Sequence, residues 1–317
     1  MLRVHFTVQD LLRVRLATLP APLMELGLAA ATLQRRDHRG AFGQWRVERR
    51  RDLPLAAMPL FGLVPPNGAA PLFLDPLTAT FEEGLEHVRS TPRRVAVQEL
   101  RRVCPAYRPV TGWVRDLARR DRQAWQTLAE ALRTGHESLV SRHWDRMQAS
   151  FYADVAWRRR LLTEQGVGTA LTSLYPGSRW SGTTLHIDSS YDSEMTLRGE
   201  GLTLMPSSVW TGQPLIGYDA DGRDLFLYPT LTPLPLTSDR QVGDPLAALL
   251  GGTRAAVLRS LSREHTTSQL AADLEISLAS VSGHTKTLRA AGLIVSDRDG
   301  KSVWHSVTPL GAMLRQG

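Results

Sequence analysis

The pattern of apolar and polar residues predicts short elements at the start of the chain. Apolar and polar residues alternate over MLRVHFTV, residues 1–8, which predicts a strand. Residues 8–19 and 23–36 have apolar positions at helical spacing and predict two helices. Residues 49–80 are rich in proline and glycine. We therefore expect an irregular connection there that includes short helical turns.

The central part of the chain changes from helical to strand-like patterning. Residues 91–174 have helical spacing throughout and predict a helical bundle. Short strand-like runs separated by turn residues follow, from TTLHID at 183–188 to DLFLYPT at 224–230. They predict a small antiparallel sheet, to which the N-terminal strand can add. The expected fold class is therefore α+β, a helical bundle with a small sheet.

A proline-containing stretch separates this region from a C-terminal module. We predict an N-terminal domain over residues 1–235, a linker over 236–243 and a second domain over 244–317. The second domain begins with an amphipathic helix and continues with a short helix capped by Thr267. A further helix, capped by Ser277, ends in two strands around a turn. This order is that of a winged helix-turn-helix domain.

The last of these helices carries very little apolar surface. Within SLASVSGHTKTLRAAGL, residues 277–293, the apolar positions Val281, Leu288 and Ala291 form a thin stripe for burial. Gly292 is placed to end the helix as its C-terminal cap. The remaining positions are small or polar, which is unusual for a helix that only packs against a core.

The helix resembles the recognition helix of ArsR-type bacterial winged-helix regulators, which has the pattern S-x-x-V-S-x-H-L-x-x-L-x-x-A-G-L-V. Thr285 departs from it, since leucine is usual there. The segment GEGLTLMPSSVW also resembles GRGLLLVPS, found in the large N-terminal domain of actinobacterial ArsR-like proteins. The matching positions of the recognition helix are Val281, Ser282, His284, Leu288, Ala291, Gly292, Leu293 and Ile294, and Ser277 lies one residue before the first serine of the pattern.

This resemblance implies binding to double-stranded DNA. A helix face without bulky side chains can lie deep in the major groove, where Ser280, Ser282 and Lys286 would reach base edges or phosphates. Gly283 either permits close backbone approach or is a tolerated surface glycine. His284 either bonds a phosphate or is a half-buried structural residue. The predicted DNA-binding residues are Thr267, Ser277, Ala279, Ser280, Ser282, Gly283, His284, Lys286, Arg298 and Lys301.

Composition adds modest support for a polyanionic partner. The chain of 317 residues has a formal net charge of +7, and its pI is near 10.1. It has a single cysteine, Cys104, which cannot form an internal disulfide. The first 20 residues lack the features of a signal peptide, and no apolar run is long enough to cross a membrane. We therefore expect a cytoplasmic protein.

We expect no metal site, no cofactor and no catalysis. Cysteine pairs near the recognition helix are missing, and His136 and His143 lie too far apart on their helix to share an ion. His186 and Asp188 resemble an exposed polar pair more than a metal site. The chain lacks a Gly-rich phosphate loop, a G-x-S-x-G motif and an H-E-x-x-H motif.

The large N-terminal domain has two interpretations. Its bundle aromatics Trp113, Trp144, Tyr152 and Trp157 either fill the core or line an apolar pocket for a small organic ligand. With the resemblance, this predicts a transcription regulator, specifically a homodimeric repressor, because one recognition helix contacts only a half-site. The alternative is a winged helix used for protein contacts, together with an N-terminal domain that binds a partner or small molecule.

Overall fold

The computed structural model divides into two compact units, Met1–Thr237 (unit 1) and Ser238–Gly317 (unit 2). The linker predicted over residues 236–243 and the predicted DNA-binding residue Lys301 lie outside the described residues. The structure describes residues 1–35, 43–107, 112–189, 192–219, 222–231, 244–261, 264–300 and 302–316.

Unit 1 combines helices with short strands from both ends of its sequence. In chain order its elements are β1 (Leu2–His5), α1 (Val8–Leu12), β2 (Arg15–Leu16), α2 (Pro22–Gln34), α3 (Gly43–Asp52), α4 (Met58–Leu63), α5 (Phe81–Ser90), α6 (Arg93–Tyr107), α7 (Gly112–Arg119), α8 (Arg122–Leu139), α9 (Trp144–Thr172), β3 (Arg179–Ser181), β4 (Thr184–Ile187), β5 (Ser193–Thr196), β6 (Thr203–Ser207), β7 (Leu215–Tyr218) and β8 (Asp224–Pro229). Short 3₁₀ turns occur at Leu55–Ala57, Leu72–Leu74 and Ser141–His143. Helix α9 is interrupted at Gly166, where φ is 83°.

The α+β class is confirmed, but the single small antiparallel sheet was wrong. The strands form two four-stranded sheets, in the orders β3-β4-β1-β5 and β2-β6-β8-β7. Strand β1 pairs antiparallel with β4 and parallel with β5, so it lies between two strands that follow each other in sequence. Strand β6 is parallel to both of its neighbours. Turn residues between successive runs favoured hairpins, but among the described strands of unit 1 these long-range pairings leave only β3–β4 and β7–β8 joined as hairpins.

Helix α2 lies at the centre of the bundle. Every residue from Pro22 to Leu33 is buried, so the helix is covered on all sides. Helix α8 packs closely against it, since a Cβ added at Gly135 would lie 3.2 Å from Leu26 Cδ1. A second apolar cluster joins both sheets to the end of α9 and includes Val4, Leu171, Leu185, Leu204 and Phe226.

The segment that resembles GRGLLLVPS holds a buried carboxyl group. Glu25 of α2 accepts hydrogen bonds from Ser207 Oγ at 2.8 Å and from Ser208 N at 3.0 Å. Burial raises the pKa of Glu25, while the hydrogen bonds from the two serines oppose that rise. The backbone amide of Gly201, in the same segment, donates to Asp10 Oδ1 at 3.0 Å. The segment therefore satisfies two buried acidic side chains of the N-terminal helices.

A buried ion pair joins α9 to the second sheet. Asp154 Oδ2 accepts from Arg158 Nε at 3.4 Å and from the Tyr228 hydroxyl at 2.8 Å. The side chains of Arg158 and Asp154 are 1% and 2% exposed, so water screens their attraction very little. Burial and the adjacent Asp154 raise the pKa of Tyr228 well above its usual value. Arg158 therefore belongs to the core of unit 1.

The C-terminal unit has its own apolar core. Its elements are α10 (Pro245–Leu250), α11 (Gly252–Ser260), β9 (His265–Thr266), α12 (Thr267–Asp273), α13 (Leu278–Ala290), β10 (Ile294–Asp299), β11 (Ser302–Val307) and α14 (Pro309–Gln316). The first predicted helix is divided into α10 and α11 at Gly251, where φ is 83°. The core includes Leu258, Leu270, Val281, Leu288 and Ile294, which come from four of these elements.

Removal of the buried Asp154 carboxylate should destabilise unit 1 strongly. Asp154→Ala should lower its free energy of unfolding by about 3–5 kcal/mol, because Arg158 would stay buried without a counter-charge. Glu164→Ala is the matched control on α9, because Glu164 pairs with Arg160 at 2.9 Å on the exposed surface. It should cost less than about 1 kcal/mol. Urea denaturation followed by tryptophan fluorescence measures both, and equal losses would contradict this account.

Candidate nucleic-acid interface

Helix α12 begins with a capping box. The Thr266 hydroxyl accepts from Gln269 N at 3.2 Å, and Gln269 Oε1 accepts from Thr266 N at 2.8 Å. The predicted cap, Thr267, was therefore wrong by one residue. The Thr267 hydroxyl is instead 3.0 Å from His305 Nε2 on β11. The α12–α13 turn contains Glu275 in the left-handed region at φ 52°.

Helix α13 is capped at both ends, as its sequence predicts. Ser277 Oγ accepts from Ser280 N at 3.1 Å at the first turn. At the other end Gly292 adopts φ 71°, and its amide donates to Arg289 O at 2.9 Å. Leu293 N donates to Leu288 O at 2.9 Å, which completes a Schellman motif. Both ends of α13 are thus fixed by local hydrogen bonds.

The buried face of α13 differs from the predicted stripe at two positions, Ala291 and Thr285. Val281 and Leu288 are buried as predicted, whereas Ala291 is exposed beyond the last turn. Thr285, at the place where the ArsR-type pattern has leucine, is 4% exposed. Its hydroxyl donates to Val281 O at 2.9 Å, so the polar group is satisfied inside the helix itself.

The opposite face of α13 is exposed and has few bulky side chains. At 100° per residue, the positions opposite the buried stripe are Ala279, Gly283, Lys286, Thr287 and Ala290, and all of them are exposed. A Cβ added at Gly283 would meet nothing within 4 Å, so no contact in the described part of the chain requires glycine there.

The predicted residues at the edges of this face differ in exposure. Ser280 and Ser282 are exposed on either side of it, while His284 is half-buried beside the buried stripe. Arg289 is also exposed near the end of the helix and was missed by the sequence analysis. The helix contains no acidic residue between Leu278 and Ala290. Apart from Leu278, which is 56% exposed at the first position of the helix, the exposed residues of α13 are small, polar or basic.

The hairpin after α13 has the form of a wing. Strands β10 and β11 pair antiparallel from Ile294–Val307 to Asp299–Ser302, and Gly300 adopts φ 57° in the turn. The predicted contact Arg298 is exposed near the tip.

A buried histidine joins the wing to the start of α12. His305 Nδ1 is 2.8 Å from Ser296 Oγ on β10, and His305 Nε2 contacts Thr267 as described above. Burial lowers the pKa of His305, and the neighbouring Arg289 lowers it further. The contact between Thr267 and His305 therefore connects the start of α12 with the wing.

The four aromatic residues predicted to line a ligand pocket are absent from the walls of the cavity between the bundle and the second sheet. Trp113 and Trp144 are partly buried and pack against the bundle core. Tyr152 and Trp157 are 44% and 38% exposed on α9. An apolar cavity does lie between the bundle and the second sheet, but other residues line it.

Across the described ranges, no three His, Cys, Asp or Glu side chains form a group that could hold a metal ion. In the same part of the chain, each helix is too short or too polar to cross a membrane.

Comparison with known proteins identifies the C-terminal unit. Residues 251–296 match the family model described as bacterial regulatory protein, arsR family. The match spans α11, α12 and α13 and extends into β10, so the predicted resemblance is confirmed. No curated protein and no solved structure matches the chain significantly. The family match supports a function in DNA-binding transcription regulation.

The N-terminal cap of α13 should contribute measurably to its stability. Ser277→Ala should speed amide hydrogen exchange in the first turn of α13 about fivefold, which corresponds to the loss of a cap worth about 1 kcal/mol. Ser282→Ala on the same helix is the control and should leave exchange unchanged or slower. Mass spectrometry of the full chain measures both, and equal exchange in both variants would show that Ser277 is not the cap.

Proposed function

We propose that the chain is a homodimeric transcriptional repressor that inserts α13 into the major groove of DNA. The exposed face of α13 supports this most directly, because its outward positions are small or basic and its buried positions anchor the helix from below. No contact among the described residues accounts for Gly283, and α13 has no acidic residue.

The dimensions of a helix favour this arrangement. A helix with average side chains is about 10–12 Å wide, close to the width of the major groove at about 12 Å. Alanine and glycine at the centre of the outward face, at Ala279, Gly283 and Ala290, make α13 narrower than average. The backbone can then approach base edges, while Ser280 and Ser282 lie at the sides and Lys286 reaches phosphates.

Two copies of the chain would complete the site. One recognition helix contacts only a few base pairs, and two-fold symmetry supplies a second half-site one helical turn away. The wing, with Arg298 and Lys301, would contact the backbone beside each half-site. We assign a regulatory rather than a catalytic role to unit 1: dimerisation, or a change in DNA affinity when a small molecule binds.

Loss of the Lys286 charge should weaken binding to every duplex. Lys286→Ala should reduce the slope of log affinity against log salt by about one unit, because one phosphate contact is lost. Lys286→Arg keeps the charge and should keep the slope. Fluorescence anisotropy with a duplex from the region upstream of the protein's own gene measures both. If Lys286→Ala binds like the wild type at every salt concentration, the proposed docking face is wrong.

Substitution of Gly283 separates a DNA contact from a role in the fold. Gly283→Ala should stabilise α13, by up to about 1 kcal/mol, because alanine favours helix. It should nevertheless weaken DNA binding, by roughly tenfold, because the new methyl group points away from the protein and into the groove. Gly252→Ala is the control, since a Cβ there also meets nothing within 4 Å. DNA binding that is unchanged or tighter in Gly283→Ala would contradict the docking of this face of α13 in the groove, whereas no DNA binding by the wild type would favour the alternative, a winged helix that does not bind DNA.

A further inference from the structure

A cavity lies between the helical bundle and the second sheet of unit 1. Its volume is about 120 Å³, and its walls come from α2, the segment before α5, α6, β7 and β8. A dry cavity of about 150 Å³ is known to hold one benzene molecule, so this space suits a single ring or a short chain. Most of the wall is apolar, including Met24, Leu28, Leu72, Leu215, Leu225 and Leu227.

One buried carboxylate oxygen in this wall has no hydrogen bond among the described residues. Asp75 lines the cavity, and its Oδ1 atom is buried without a hydrogen bond among the described residues. A Cβ added at Gly27 would lie 2.9 Å from this oxygen, so the carboxyl group lies against the backbone of α2. A buried carboxylate oxygen without a hydrogen bond is costly, and the carboxyl groups of Glu25 and Asp154 in the same unit differ in being hydrogen-bonded.

The two charged residues near Asp75, Arg102 and Glu99, form an ion pair with each other. Arg102, which also lines the cavity, donates to Glu99 Oε2 from Nη2 at 2.7 Å and from Nε at 3.1 Å. Its Nη2 also donates to Ala70 O at 3.0 Å, and Glu99 Oε2 accepts from Leu72 N at 2.9 Å. The Arg102 charge is therefore neutralised by Glu99, and an ionised Asp75 would be the second carboxylate beside one arginine.

We propose that this cavity binds a small organic cation, an amine carried on one apolar ring or a short chain, with its ammonium group at Asp75. The ammonium group supplies the positive charge and the hydrogen-bond donors that Asp75 lacks, and the apolar part fills the remaining space. A wider groove of about 720 Å³ shares Ala69, Leu215 and Ile216 with the cavity and leaves room for a substituent. Only the regulatory consequence of this binding rests on the function proposed above.

Protonation of Asp75 gives the binding a characteristic pH dependence. Burial raises the pKa of Asp75 to about 8; Arg102 opposes the rise and Glu99 adds to it. Tyr218 of β7 is the other titratable group in the wall, and α2 contributes none. At pH 6 the empty site is therefore mostly protonated, and an ammonium ion must displace that proton. Affinity for an amine should rise between pH 6 and pH 8, by roughly tenfold or more.

Three probes with one ring and different head groups test the proposal. Calorimetry on the full chain at pH 8 should show benzylamine binding at least tenfold more tightly than benzyl alcohol, with benzoate weakest. Asp75→Asn keeps the shape of the side chain, so it should remove the preference for benzylamine while keeping binding of benzyl alcohol. The pH dependence of benzylamine binding to the wild type is a second test that needs no variant. Equal affinity for amine and alcohol, affinity without pH dependence, or no binding of any probe would overturn the proposal.

A separate measurement distinguishes this site from the proposed regulation. Saturating benzylamine should change the DNA affinity of the wild type and leave that of Asp75→Asn unchanged. If benzylamine binds at Asp75 and DNA affinity does not change, the site stands and its regulatory role falls. If the protein binds benzylamine but no DNA, the proposed repressor function fails and the amine site stands.

Discussion

The narrow buried face of α13 is the constraint on which the DNA-binding surface depends. Only Val281, Thr285 and Leu288 of this helix are buried, so a small contact area must fix its orientation. The caps at Ser277 and Gly292 compensate, because they hold both ends through local hydrogen bonds. The exposed positions of α13 can therefore carry small and basic side chains, because they are not needed to pack the helix against the core.

The acidic side chains inside unit 1 differ in their hydrogen bonding. Glu25 and Asp154 are each surrounded by donors from another element, and these contacts tie α2 and α9 to the second sheet. Asp75 lies in an apolar wall with its Oδ1 atom unpaired. The contacts within the fold account for Glu25 and Asp154. Removal of either carboxylate would leave a buried arginine charge or buried hydrogen-bond donors without a partner. The contacts within the fold do not account for Asp75, and a bound ligand would supply the hydrogen-bond donor that its Oδ1 atom lacks among the described residues.

Features that depend on neighbours in sequence could be predicted from the sequence, whereas long-range features could not. The cap at Ser277, the glycine after α13 and the wing turn follow from local chemistry, and the structure has all three. The parallel pairing of β1 with β5 joins distant segments and leaves no local pattern. The sequence around Asp75, LFLDP, has the appearance of an irregular loop, and only packing against Gly27 shows that its carboxyl oxygen is buried. Aromatic side chains suggested a pocket in unit 1, but aliphatic residues of α2, β7 and β8 line the cavity.

Selection of duplexes from a random pool by the full-length protein tests the central claim most directly, because it assumes no operator. The account predicts enrichment of a palindromic sequence whose half-sites lie about 10 base pairs apart, as two symmetry-related recognition helices require. Gly283→Ala should fail to enrich the same sequence although the domain stays folded. A wild-type pool without any enriched sequence, at low salt and in the absence of small molecules, would contradict the account.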